Sequence, residues 1–281
     1  MTSSLEYSVH QYGAHELQRV GVWDLDIADK DKYWIVYIHG GAWRDPRIAH
    51  ETFAPSITRI LESDDPSSKD SIAAFASIDY RLSPHPDFPQ DPSATPPEQF
   101  RGARHPDHLD DVRAAIAFLQ RRFAFGARYV LLGHSAGGTL AYQLLATTTT
   151  TPDPGFPEAV FGVEGIYDMA GLDARVGGAY AGFLSAAFGP REHWDEAAPM
   201  KSAGRFADRF AGLAVLGHSP DDELVDMPEA EGMAARLRGD LDADKVLLLR
   251  DLEGTHDHVW QDGRGVARIV LRILALLRGP C

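Results

Sequence analysis

Gly133-His134-Ser135-Ala136-Gly137, followed by Gly138, reads G-x-S-x-G in a setting that gives the pattern chemical meaning. The apolar run Tyr129-Val130-Leu131-Leu132 precedes it. Leu140, Ala141, Leu144 and Leu145 follow it within a helical stretch. A serine on a sharp turn between strand and helix has its hydroxyl pushed out at the sheet edge, where a base and a substrate can reach it. Small flanking residues let the backbone make that turn. An ordinary glycine-rich turn would share the letters, but not the strand before and the helix after.

Around this turn lie further short apolar runs, at residues 34–38, 72–78, 129–132, 159–163, 213–216 and 245–249. They do not alternate with polar residues, which predicts strands buried on both faces of a mainly parallel sheet. Leu109, Val112, Ile116 and Leu119 repeat at helical spacing, as do Val266, Ile269, Val270, Ile273 and Leu277. Alternating strands and helices predict an α/β architecture: one domain over residues 1–281, a mostly parallel central sheet flanked by helices. Residues 81–106 are rich in proline and predict an irregular excursion. Residues 168–210, rich in Gly and Ala between two strand candidates, predict a small cap-like insertion over the site. The threonine run 147–151 and the Pro-Asp-Pro-Gly after it predict an exposed loop that ends the helix.

The 281 residues are 44% hydrophobic, ample for one large core. Lys plus Arg number 27 against 41 Asp plus Glu, a net charge of −14, which argues against nucleic-acid binding. The single cysteine, Cys281, offers no internal disulfide and no thiol pair for zinc. Residues 1–11 lack the apolar core of a signal peptide, and no apolar run is long enough to span a bilayer. These features predict a soluble cytoplasmic protein without a membrane partner. A homodimer is compatible with them.

A serine hydroxyl needs a base, a group to orient that base, and donors for the oxyanion. His39-Gly40-Gly41-Ala42-Trp43 directly follows the 34–38 run, and its small residues let backbone N–H groups approach a substrate oxygen. The predicted oxyanion donors are the N–H groups of Gly41, Ala42 and Ala136, with His39 bracing the loop. After the 213–216 run, Asp221, Asp222 and Asp226 compete for the acid. Asp222 leads because it fits D-x-x-V through Val225, and Asp221 comes next. After the 245–249 run, His256 stands two residues beyond Gly254 and is preferred to His258 as the base. The order Ser135, Asp222, His256 is that of the α/β-hydrolases. His85, His105 and His108 read as loop or helix-start residues. No metal-ligand spacing, phosphate loop or dinucleotide fingerprint is present, so neither metal nor cofactor is expected.

These motifs resemble those of the hormone-sensitive-lipase-like esterases, and Asp79-Tyr80-Arg81-Leu82-Ser83-Pro84 resembles their D-Y-R-L-x-P segment. Further segments resemble kynurenine formamidase (arylformamidase) of the fungal type. They are Tyr12-Gly13-Ala14-His15-Glu16-Leu17-Gln18-Arg19-Val20, Gly165-Ile166-Tyr167-Asp168, Asp222-Glu223-Leu224, and His256-Asp257-His258-Val259-Trp260-Gln261-Asp262-Gly263. The resemblance implies the α/β-hydrolase fold. It also implies hydrolysis of N-formyl-L-kynurenine to L-kynurenine and formate, in tryptophan degradation. A formyl group needs little room at the serine, whereas the leaving arylamine is large. Trp43, Tyr167 and Trp260 are the candidate walls for it by stacking; core packing is the competing expectation for each. Two other readings remain: a general carboxylesterase with the same catalytic residues, and a non-catalytic binding module on the same fold.

Overall fold

The computed structural model describes residues 5–146 and 155–279, so the threonine run and Cys281 lie outside the described residues. An eight-stranded sheet organises the chain, in the order β1-β2-β4-β3-β5-β6-β7-β8. The strands are β1 (Glu6–Gln11), β2 (Arg19–Asp24), β3 (Tyr33–Ile38), β4 (Ile72–Ile78), β5 (Tyr129–His134), β6 (Ala159–Val163), β7 (Leu213–Gly217) and β8 (Val246–Leu249). From β4 through β8 every neighbouring pair is parallel, whereas β2 runs antiparallel to both β1 and β4. The six apolar runs are β3 to β8, and β3 to β7 are buried along their whole length. β1 carries no continuous apolar run, and β2 only the short Val20-Gly21-Val22-Trp23. β1, at the sheet edge, alternates exposed and half-buried residues along most of its length, which explains why buried-strand logic passes over it.

The α-helices are α1 (Ala54–Leu61), α2 (Pro66–Lys69), α3 (Asp107–Phe123), α4 (Ala136–Ala146), α5 (Met169–Arg175), α6 (Ala181–Phe188), α7 (Trp194–Ala197), α8 (Met227–Arg238), α9 (His256–Asp262) and α10 (Arg264–Arg278). Two apolar clusters sandwich the sheet. One contains Leu109, Ile116, Leu140, Leu144 and Met233 from α3, α4 and α8. The other contains Ile57, Ile60, Val266, Ile269 and Ile273 from α1 and α10. Successive side chains of a strand point to opposite faces. Trp34, Val36 and Ile38 accordingly enter the first cluster, and Ile35 and Tyr37 the second. Residues 81–106 contain no helix or strand, and residues 168–210 form short helices between β6 and β7. No helix among the described residues is long and apolar enough to cross a membrane.

Candidate active site

Because β3, β5, β6, β7 and β8 are parallel, their C-terminal ends share one edge, and each is followed by a polar residue of interest. His39 follows β3, Ser135 follows β5, Glu164 follows β6, His218 follows β7, and His256 comes soon after β8. In parallel α/β sheets this is the edge that binds ligands.

Ser135 has φ of 53°, in the left-handed region that a non-glycine residue seldom occupies. Its N–H donates to the carbonyl of Val163 at 2.9 Å, which fixes the turn against β6. Glycine is required on both sides. A Cβ at Gly133 would meet the Gly137 carbonyl oxygen at 2.2 Å, and one at Gly137 would meet the Ile38 carbonyl oxygen at 2.1 Å. Ala136 then opens α4, where first-turn N–H groups have no partner within the helix.

The loop after β3 is also in the left-handed region, with φ of 86° at Gly41, 49° at Ala42 and 59° at Trp43. Among the described residues, the N–H groups of Gly41 and Ala42 have no protein acceptor. Gly40 lets the loop lie against the serine, since a Cβ there would stand 3.1 Å from that of Ser135. The segment from Asp79 to Ser83 clamps the loop. The Tyr80 hydroxyl donates to the carbonyls of His39 and Gly40, each at 3.1 Å, and its ring stacks on His39 at 4.5 Å. Ser83 N–H donates to the Trp43 carbonyl at 2.8 Å. Burial favours protonation of Asp79, but hydrogen bonds from His50 and Arg19 outweigh it and hold the carboxyl below its ordinary range. His39 is buried, and that burial keeps it neutral.

His256 Nδ1 lies 2.8 Å from Asp222 Oδ2, and the Asp222 side chain has 0% exposure. Its other oxygen, Oδ1, accepts the N–H groups of Leu224 and Val225 at 2.9 and 2.8 Å. His218 backs it, with Nε2 3.6 Å from Asp222 Oδ2. The competing aspartates are elsewhere: Asp221 is exposed, and Asp226 pairs with Arg175 at 2.6 Å. The rival His258 is exposed in a separate depression with Asp251 and Arg268. His134 packs on His256 with ring centres 4.5 Å apart, and burial pushes its imidazole well below the ordinary value.

Ser135 and His256 line one cavity of about 220 Å³, together with Gly40, Gly41, Ala42, Arg44 and Trp260. Of the three aromatic residues expected as walls, only Trp260 lines it. Trp43 has 0% exposure and packs edge-on against Phe188 with ring centres 4.8 Å apart. Its left-handed backbone turns the indole down into the core. Tyr167 also has 0% exposure. It fills a slot left by two glycines, where a Cβ on Gly162 or Gly165 would meet its hydroxyl at 1.9 or 2.4 Å. Both are core residues. His85, read from the sequence as an ordinary loop residue, stands at the cavity.

Three residues of the site, two lining the cavity and one buried behind it, escaped sequence reasoning. Arg44 lines the cavity with no ion pair among the described residues; its guanidinium sits 5.6 Å from the Phe183 ring centre. Asp257 also lines it and accepts the Trp260 indole N–H at 3.0 Å. Glu164 is wholly buried behind His256. Its position directly after the apolar run 159–163, on the same edge as the serine turn, was the signal that could have found it. His134, Glu164 and His256 bring ligand-type atoms within 4.8 Å of one another, the one such grouping among the described residues. His256 Nδ1 is already engaged by Asp222, and His134 Nε2 by the His256 carbonyl at 3.2 Å.

A kynurenine formamidase of Aspergillus versicolor is 37% identical over 257 residues, covering 84% of this chain and 86% of that protein. The chain belongs to the kynurenine formamidase family. A kynurenine formamidase-like hydrolase of Fusarium equiseti is 39% identical over 88% of this chain and 84% of that protein. A kynurenine formamidase of Meyerozyma guilliermondii is 30% identical over 92% and 90%. No protein-family model matches. Among solved structures, esterase B of Lactobacillus rhamnosis superposes with a TM-score of 0.70 at 15% identity, over 97% of this chain and 86% of that one. A carbohydrate esterase from gut microbiota gives 0.67 at 17% identity, over 97% and 96%. These two establish the α/β-hydrolase fold for this formamidase-family chain.

Proposed function

We propose that this protein hydrolyses N-formyl-L-kynurenine to L-kynurenine and formate through a formyl-serine intermediate. The observation that carries the reading is the 2.8 Å contact between His256 and Asp222 at the cavity that holds Ser135, in a chain of the formamidase family. His256 takes the Ser135 proton as the hydroxyl oxygen attacks the formyl carbon. Asp222 accepts the Nδ1–H and stabilises the imidazolium. The N–H groups of Gly41, Ala42 and Ala136 receive the oxyanion. As the carbon–nitrogen bond breaks, His256 returns the proton to the arylamine nitrogen. Water, deprotonated by His256, then releases formate and restores Ser135.

The side chains lining the cavity support this substrate. Trp260 offers a face for the aniline ring. Arg44, which forms no ion pair among the described residues, offers a guanidinium for the substrate carboxylate, and Asp257 a carboxylate for its ammonium group. Residues 168–210, the expected cap-like insertion, reach the loop after β3 through Phe183 and Phe188, which pack on Trp43; none of them lines the cavity.

The test is a turnover assay with N-formyl-L-kynurenine beside a short-chain aryl ester. A clear preference for the formamide is expected. Cleavage of the ester alone would replace this reading with a general carboxylesterase. Ser135→Ala is expected to lower kcat by about 10⁴-fold or more while circular dichroism is unchanged. Retained turnover would remove Ser135 from the mechanism.

A further inference from the structure

Glu164 is a buried acid that the steps above leave without a task. It follows β6 as Asp222 follows β7, so adjacent strands deliver two carboxyl groups to one side of the same histidine. Its backbone φ is 51°, held by an N–H donated to the Gly217 carbonyl at 2.9 Å. Its side chain has 0% exposure. Oε1 accepts the Ser219 N–H at 3.2 Å. Oε2 has no hydrogen-bond partner among the described residues, and stands 3.7 Å from His256 Nδ1 and 3.4 Å from His134 Nε2. A buried polar oxygen left unpaired beside a catalytic base calls for a reason.

We propose that Glu164 is a second acid of the site, a positioning carboxyl that stands beside Asp222 against the Nδ1 side of His256 and takes over its hydrogen bond when Asp222 is lost. The proposal rests on reading His256 as the base. Two adjacent carboxylates facing one imidazole do not both ionise readily. Asp222, at 2.8 Å and with two backbone N–H donors on its other oxygen, is the one built to carry the charge. Burial first, and then the Asp222 charge, push Glu164 up to about 10, so it keeps its proton at neutral pH. The other ionisable groups facing it are Glu223, Asp257, His134 and His256, with His218 behind Asp222. Removing Asp222 removes the strongest of the charges that hold the proton on Glu164. Burial still opposes ionisation, so the proton passes to water as the pH rises, and the new carboxylate then accepts the Nδ1–H of His256.

The experiment compares wild type, Asp222→Ala, Glu164→Gln and the double variant on an aryl formamide, with kcat/KM measured against pH and folding checked by thermal melts. Glu164→Gln is expected to cost at least about tenfold more in the Asp222→Ala background than in the native one. The acid-side limb of Asp222→Ala is expected to move to higher pH as Glu164 ionisation becomes limiting, and Glu164→Gln to abolish that displacement. Equal losses in the two backgrounds would mean a purely structural Glu164 and overturn the proposal. So would an Asp222→Ala profile of native shape, and that single variant decides the matter if the double variant does not fold. Asp222→Ser keeps a short hydroxyl oxygen near the Leu224 and Val225 N–H groups while leaving the Nδ1 side of His256 open, and serves if the alanine variant is unstable. Failure of the reading beneath it is separately visible, as activity retained in Ser135→Ala.

Discussion

Trp43 and Arg44 are neighbours in sequence with opposite fates. The left-handed backbone at residues 41–43 sends the indole into the core and leaves the guanidinium at the cavity. No property of the two residue types announces that split, because both an aromatic and a cation are reasonable wall residues for an aryl amino acid. The proposed pairing of Arg44 with a substrate carboxylate leads to a specific expectation. Arg44→Gln should raise KM for N-formyl-L-kynurenine about tenfold or more with little change in kcat, in line with loss of a charged hydrogen bond. The same change should leave 2-formamidoacetophenone, which lacks the amino-acid group, unaffected. Steady-state kinetics on the two substrates check this, and parallel losses on both would dismiss the carboxylate role.

At the scale of elements, the serine turn depends on close approach between β3, β5 and α4. A methyl group at Gly137 would run into the Ile38 carbonyl at 2.1 Å and the His39 carbonyl at 2.7 Å, and neither backbone oxygen is free to swing aside. Gly137→Ala is therefore expected to cost about 3 kcal/mol and to displace the proposed nucleophile, as read by urea unfolding and by turnover. Gly182 in α6 is the contrasting case, with no atom within 4 Å of an added Cβ. Gly182→Ala is expected to stabilise by about 0.5–1 kcal/mol through helix propensity. The segment from Asp79 to Ser83 carries the same lesson. Its motif was legible in the chain, but its task as the clamp on the loop after β3 came from Tyr80 and Ser83 reaching His39, Gly40 and Trp43.

At the scale of the whole molecule, buried ionisable groups set the pH range of stability. Burial holds His39, His105, His108, His134 and His218 below the ordinary 6.5, with His108 at about 3. Below pH 6.5 the unfolded chain binds protons that these folded imidazoles refuse, so stability falls as the pH drops through that window. Glu164 acts in the opposite sense. Folded, it keeps its proton to about 10, against an ordinary 4.5, so the unfolded chain releases a proton that the folded chain retains. Stability then declines as the pH rises between those values, by up to ~1.4 kcal/mol per pH unit for one proton. Thermal melts across pH are expected to peak between these two trends. Glu164→Gln is expected to remove this decline across the whole span from 4.5 to about 10, flattening the alkaline side and moving the optimum to higher pH. An unaltered alkaline slope would mean that Glu164 is ionised in the folded protein.

The chain by itself determined the β3 to β8 strands, the serine turn, the small-residue loop after β3 and the order of Ser135, Asp222 and His256. Each of these is a local pattern: an unbroken apolar run, a small-residue turn, or a polar residue just past a strand. The antiparallel strands β1 and β2, the core positions of Trp43 and Tyr167, and the cavity positions of Arg44, Asp257 and His85 were decided only by tertiary structure. Whether a side chain faces a cavity or a core depends on backbone twist and on what residues far along the chain leave empty. The slot that Gly162 and Gly165 leave for Tyr167 is one such case. Glu164 belongs to the same group. Its position after β6 was visible in the chain, but its closeness to His256 exists only because parallel strands end at one edge.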